Sequence, residues 1–240
     1  MADAQTILGQ SKNVAFDGTV YRNICSLVLS QDLFDDIADP EDFAMAQAIE
    51  EYAKPPHFAS HQPIIHRPFE EADWNDSVDY PFENWQESRF STGKFGVWYG
   101  ASDLMTGVYE TAYHWIKRMV DEDGHWAEGR IAQRKVYSVD LKAVLIDLRT
   151  TCKKVKALTD KNDYTLTQSI GKVLSEQGHP GLLSKSARCD GDIQAIFTPR
   201  VLSNPKVSCW FEYRIEGDQV IASSGSNSTS IHIKIDQLVA

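Results

Sequence analysis

Apolar residues recur at helical spacing from Leu104 to Met119. Leu104, Gly107, Val108, Thr111, Ala112, Trp115, Ile116 and Met119 fall on one face, and Asp103 stands before them as an N-cap. The pattern predicts an amphipathic helix that buries this stripe and carries Glu110 off its centre, in the N-terminal half. A second helix is predicted from Tyr164 to Gln177, capped by Asp163 and closed by Gly178 as the C′ residue. A third is expected from Asp39 to about Tyr52, with Asp39 at the N-cap, Pro40 at N1 and two acids in the first turn.

Between these lie short segments of β-prone residues. An opening strand is expected at about residues 17–29, and an aromatic one from Phe95 to Tyr99. Lys135–Leu141 and Val144–Leu148 read as two strands or as one strand and its continuation. Gly181–Leu183, Ala195–Phe197, Val207–Arg214, Gln219–Ala222 and Ser230–Ile235 complete the set. Short strands with a few helices predict an α+β fold, with a split, mixed or mostly antiparallel sheet and helices around it.

Two regions lack a period. Residues 1–15 are polar and are expected to be loosely held. Residues 55–85 hold Pro55, Pro56, Pro63, Pro68 and Pro81 with His57, His61 and His66, and read as a long irregular segment. The expected organisation is an N-terminal extension over 1–85, packed on a domain over 86–240 that borrows its first strand from the extension. No cysteine or paired-helix spacing marks the three histidines as ligands, so no metal site is expected. Glu110 and His114, four apart, could chelate together, but a lone E-x-x-x-H is more often a helix-surface pair.

Composition narrows the function classes. With 42% hydrophobic residues in 240, the chain can bury a real core. The 34 acidic against 24 basic residues give a net charge of −10, which argues against a general nucleic-acid binder and leaves room for a local basic pocket. The four cysteines, Cys25, Cys152, Cys189 and Cys209, form no CxxC pair and read as reduced thiols of a cytoplasmic protein. The first residues carry no signal-peptide pattern, and no apolar run is long enough to span a membrane.

The candidate chemistry concentrates between Arg89 and Glu110. Arg89 and Lys94 offer cations for an anion, Tyr99 an aromatic face with a polar tip, and Glu110 a carboxylate. Far downstream, Ser186 and Arg188 add a hydroxyl and a second guanidinium. Together these residue types suit a dinucleotide: cations for phosphates, an aromatic for a flat ring, a carboxylate for sugar hydroxyls. Taken singly, each is more often a surface salt-bridge, core, solvated helix or turn residue. The G-x-G-x-x-G, G-x-x-x-x-G-K-[ST] and G-x-S-x-G motifs are all missing.

The run Arg89 … Val97-Trp98-Tyr99-Gly100-Ala101-Ser102 … Glu110, followed by Gly178-His179-Pro180-Gly181-Leu182-Leu183-Ser184-Lys185-Ser186-Ala187-Arg188 … Ala195-Ile196-Phe197, resembles the RES domain. That family is named for an arginine, a glutamate and a serine. The resemblance covers about residues 86 to 200, and Tyr21-Arg22 is similar to the family's opening strand. Two features depart from it. Members often carry a Gly-Gly-Arg-Trp-Asn type run, where this chain has Glu87-Ser88-Arg89-Phe90-Ser91, and a long insertion separates Arg22 from Arg89.

The resemblance implies a fold like that of the ADP-ribosyltransferases and the activity of a toxin that consumes NAD. By the same resemblance Arg89, Tyr99, Glu110 and Ser186 would be the catalytic residues, and Arg22, Lys94 and Arg188 would help bind substrate. Arg89 would clamp the diphosphate and Tyr99 would pack near the nicotinamide. Glu110 would stabilise the oxocarbenium-like transition state, and Ser186 would position the ribose or the nucleophile. NAD is then a substrate, with inorganic phosphate as a candidate co-substrate and no prosthetic group. Phosphorolysis, hydrolysis, protein ADP-ribosylation and plain nucleotide binding stay open. The implied partner is an Xre-type antitoxin or an immunity protein, with no direct role for nucleic acid or membrane.

Overall fold

The structure is a computed structural model that describes residues 3–25, 72–224 and 230–239. The expected helix at Asp39–Tyr52 and the three histidines His57, His61 and His66 lie outside the described residues.

The longest strands organise the sheet. Strand β1 (Lys12–Cys25) pairs antiparallel with β5 (Ile131–Asp147) without a break, from Lys12 opposite Asp147 to Cys25 opposite Arg134. The second edge of β5 is shared. Its first part pairs with β8 (Leu202–Glu216), and its last residues, Ile146 and Asp147, pair in parallel with β6 (Gly181–Lys185). The sheet therefore splits along β5. One arm continues from β8 through β9 (Gln219–Ser223) to β10 (Ile231–Lys234). The other runs from β6 through β7 (Asp192–Ile196) to β4 (Trp98–Ala101), and Ala101 meets Tyr21 of β1. A separate two-stranded hairpin is made by β2 (Glu87–Ser88) and β3 (Ser91–Thr92). The architecture is α+β with a mixed, split sheet, as expected.

Helices cover both arms. Helix α3 (Leu104–Asp123) starts where Asp103 accepts the Thr106 N–H at 2.7 Å and the Thr106 hydroxyl at 2.8 Å. It stops at Gly124, whose φ of 77° favours a residue without Cβ. Val108, Ala112, Ile116 and Met119 are buried against Phe211, Tyr213, Val220 and Ala222. Each fully buried side chain of this size contributes roughly 1.5–3 kcal/mol. Helix α5 (Thr165–Glu176) buries Ile170 and Leu174 against Leu182, Ile193 and Ala195 of the other arm. A short helix α6 (Ile235–Val239) closes the described chain with Ile235 and Leu238 buried.

Four features differ from the sequence expectation. Residues 4–10 form helix α1 (Ala4–Gln10), because Asp3 caps it and Ile7 buries itself beside α5. The opening strand starts at Lys12, since pairing with β5 carries polar residues that propensity alone would leave in a loop. Within the stretch expected to be irregular, residues 72–83 are helical, with a π-turn at Asn75–Asp79 and helix α2 (Tyr80–Glu83). Its backbone is held by the core: Trp98 donates its indole N–H to the Ser77 carbonyl at 2.6 Å, and Asp73 accepts from Lys135 and Tyr137. The aromatic strand begins at Trp98, because Ser91 donates to the Phe95 carbonyl and folds the preceding residues into a turn. Lys135–Leu141 and Val144–Leu148 prove to be one strand up to Asp147. A short helix α4 (Arg149–Cys152) follows it.

Candidate active site

The edges of the split converge on one group of side chains. Strand β4 brings Tyr99, and the first turns of α3 bring Glu110. The β2–β3 turn brings Arg89, and the turn after β6 brings Ser186 and Arg188.

Two close approaches hold these elements together. Gly171 of α5 lies so near the hairpin turn that a Cβ there would collide with the Phe90 carbonyl oxygen. Gly191 meets Thr106 at the start of α3 in the same way, and the Gly191 carbonyl accepts the Ser186 N–H at 2.9 Å. A side chain at either glycine would push apart the walls that carry Arg89, Glu110 and Ser186.

Ser186 and Glu110 are joined directly. The Ser186 hydroxyl donates to Glu110 Oε1 at 2.5 Å and accepts from the backbone N–H groups of Arg188 and Cys189, at 2.9 and 3.2 Å. Its proton and both lone pairs are thus committed. Tyr99 is partly buried, with its hydroxyl donating to Ser88 Oγ and accepting the Phe90 N–H, both at 3.0 Å. Enclosure pushes its pKa up to about 12, against the lowering effect of these bonds and of the Arg89 cation; Glu110 adds to the rise. At neutral pH it is a protonated wall of the site and no base.

The two arginines are unusual in what satisfies them. Arg89 is 8% and Arg188 6% exposed, and among the described residues neither lies within ion-pair distance of a carboxylate. Arg89 donates to the Asp160 carbonyl at 2.8 Å and lies over the Tyr164 ring, 4.6 Å from its centroid. Arg188 donates to the carbonyls of Leu238 and Lys161, at 2.9 and 2.7 Å, and to the Tyr164 hydroxyl at 3.3 Å; it lies 3.2 Å from the centroid of Tyr113. Its Nε has no hydrogen-bond partner among the described residues. Buried cations that the described residues hold by dipoles and aromatic faces keep their charge available to an anion.

His114 borders the same cleft one turn beyond Glu110. It is open to solvent on one side, but the crowding of its ring holds its pKa below the ordinary value; Glu110 opposes this, and the cations Arg188, Arg134 and Arg89 assist it. Beside the arginine turn, a cavity of about 440 Å³ is lined by residues that include Asp103, Thr106, Tyr109, Arg188 and Cys189. This lies within the range of small-ligand sites.

Of the residues expected from sequence, Arg89, Tyr99, Glu110, Ser186 and Arg188 are brought together, and Arg22 and Lys94 stand apart. Arg22 lies over Trp98 at 5.5 Å, on the side of β4 opposite the Tyr99 side chain, and donates to the Tyr99 carbonyl at 3.1 Å. Enclosure pulls its pKa down to about 10, so it remains a cation at neutral pH. Lys94 is exposed in the turn after β3 and bonds to none of the described residues. Sequence reasoning missed Tyr164 and Tyr113, which no motif marks. It also missed the carbonyls of Asp160, Lys161 and Leu238, which no side chain advertises.

Comparison with known proteins adds three findings. A family model described as the RES domain matches residues 64–216. No curated protein matches the chain. Among solved structures, a chain of the M. tuberculosis MbcT–MbcA toxin–antitoxin complex is similar, with a TM-score of 0.47 and 10% sequence identity, over 98% of this chain and 93% of that one.

Proposed function

Because the chain belongs to the RES domain family, we propose that it is a toxin-type enzyme that consumes NAD by cleaving the nicotinamide–ribose bond. One observation carries this reading: two buried guanidiniums without carboxylate partners among the described residues, Arg89 and Arg188, stand beside a carboxylate fixed by a serine, Glu110 with Ser186.

The chemistry fits the residues. In NAD the leaving nicotinamide is a pyridinium, so it departs neutral and needs no acid to protonate it. The ribose left behind gains positive charge, and a carboxylate is the group that stabilises it. Ser186 occupies Oε1 of Glu110, which leaves Oε2 for a ribose hydroxyl or the developing cation. With its hydroxyl hydrogen-bonded to Glu110 and accepting two backbone N–H groups, Ser186 orients the carboxylate and is not free to attack. Arg89 and Arg188 match the two negative charges of the diphosphate, and Tyr99 supplies a flat, protonated wall.

The acceptor is water or inorganic phosphate. Water gives ADP-ribose, nicotinamide and a proton; phosphate gives ADP-ribose phosphorylated at the anomeric carbon, with nicotinamide. Purified protein incubated with NAD, with and without phosphate, should release nicotinamide, and the mass of the sugar product tells the two apart. Unchanged NAD consumption by Glu110→Gln or Arg89→Ala would sink the assignment. Such an activity acts on the cytoplasmic NAD pool, and a cell carrying it needs a partner that blocks the cleft: an Xre-type antitoxin or an immunity protein.

A further inference from the structure

We infer that Tyr164 is a positioning residue of this site, which holds Arg89 and Arg188 in register for the two phosphates of the substrate. The inference rests on the NAD-cleaving reading and adds a residue to it.

Tyr164 is the one side chain among the described residues that touches both guanidiniums. Its ring lies beneath Arg89, 4.6 Å away, and its hydroxyl meets Arg188 Nη2 at 3.3 Å. The hydroxyl also donates to the Lys161 carbonyl at 3.3 Å, the same oxygen that accepts from Arg188 at 2.7 Å. Arg188 also lies over the Tyr113 ring. Two buried like charges repel each other, and with no carboxylate among the described residues within ion-pair distance of either, their separation depends on what packs on them. Tyr164 packs on both.

The backbone that carries Tyr164 is rigid in its own right. Asp160 Oδ1 accepts the N–H groups of Asn162 and Asp163, each at 2.8 Å, and Asp163 Oδ1 accepts the Thr165 N–H at 2.9 Å. The Tyr164 carbonyl accepts from Gln168 N and Thr167 Oγ1 as the first turn of α5. The aromatic is therefore a fixed post. A dinucleotide whose phosphates replace the carbonyls on Arg89 and Arg188 finds both cations already spaced.

The test compares Y164F and Y164L with the wild-type chain. KM and kcat for NAD come from nicotinamide release, affinity for ADP-ribose and inorganic pyrophosphate from calorimetry, and Tm from thermal melting. Y164F keeps the ring under Arg89 and should raise KM by about threefold. Y164L loses both contacts and should raise KM by about tenfold or more, with kcat within about twofold and pyrophosphate affinity falling in parallel. Wild-type KM and pyrophosphate affinity in both variants would overturn the inference, as would a loss confined to kcat. If Y164L does not fold, the Y164F comparison decides. If the wild type binds pyrophosphate without releasing nicotinamide, and Y164F weakens that binding, the activity is wrong and Tyr164 keeps its role. A wild type that does neither defeats both.

Discussion

Ser186 donates a hydrogen bond from its hydroxyl to Glu110 across 76 residues of chain, at 2.5 Å. The two arrive from different elements, a turn after β6 and the second turn of α3. Ser186→Ala should leave NAD affinity nearly unchanged and lower kcat by about 10–100-fold, the cost of losing one hydrogen bond to a charged group. Glu110→Gln and the double variant should show nearly the same rate, because the two residues act as one unit. Steady-state kinetics on the four proteins checks this; additive losses would separate the pair.

Arg188→Lys keeps the charge and loses the fork. A lysine cannot donate to the carbonyls of Lys161 and Leu238 in the same geometry. KM for NAD should rise by about tenfold. Amide exchange at the end of α6 should quicken as well, since Leu238 would lose its anchor.

Gly171→Ala tests the seating of α5 on the Arg89 turn. The new methyl meets the Phe90 carbonyl, so helix and hairpin must separate. Overpacking of this kind costs about 1–3 kcal/mol, read as a fall in Tm of several degrees. NAD turnover should fall with it, because Arg89 and Phe90 are neighbours. Gly9→Ala, where a Cβ meets nothing, is the control.

The Tyr99 phenol, with its pKa pushed up to about 12, ionises later in the fold than in the unfolded chain. Its stabilising contribution is therefore full below about pH 10, the ordinary tyrosine value, and fades as pH rises from there through about 12. Urea melts of the wild type should weaken more steeply above pH 10 than those of Tyr99→Phe. Between pH 7 and 9 Tyr99 contributes no slope to the activity profile, so an ionisation in that window that disappears in Tyr99→Phe would contradict the assignment.

The sequence made part of this visible and hid the rest for physical reasons. Helix α3 was readable from its start to Met119, since Asp103 and the apolar stripe act locally; its last turn and the stop at Gly124 were not read. Arg89, Tyr99, Glu110 and Ser186 could be named through a family resemblance, and Arg188 lay close enough in sequence to Ser186 to be noticed. Their contacts could not be read, because the hydrogen bond from Ser186 to Glu110 depends on how β6 and α3 meet. The extent of β1 was hidden because its first residues take their conformation from β5. Helix α1 was hidden because only Ala4 and Ile7 of its seven residues are buried, too few to make a periodic signal. Tyr164 is an ordinary tyrosine at a helix start until Arg89 and Arg188 arrive on either side of it.

Three guanidinium bonds in the site end on main-chain oxygens, those of Asp160, Lys161 and Leu238. Exchanging the side chains at these positions leaves the acceptor atoms in the chain, although Asp160 also holds its own turn and Leu238 fills the core. A substitution scan would read the cost at Asp160 as its turn and the cost at Leu238 as core packing, and would not see the carbonyls at all. Only a change to the backbone itself, such as an ester in place of the peptide bond that follows Asp160 or Lys161, would weaken these acceptors. Much of what holds the two cations is inherited as the path of the chain.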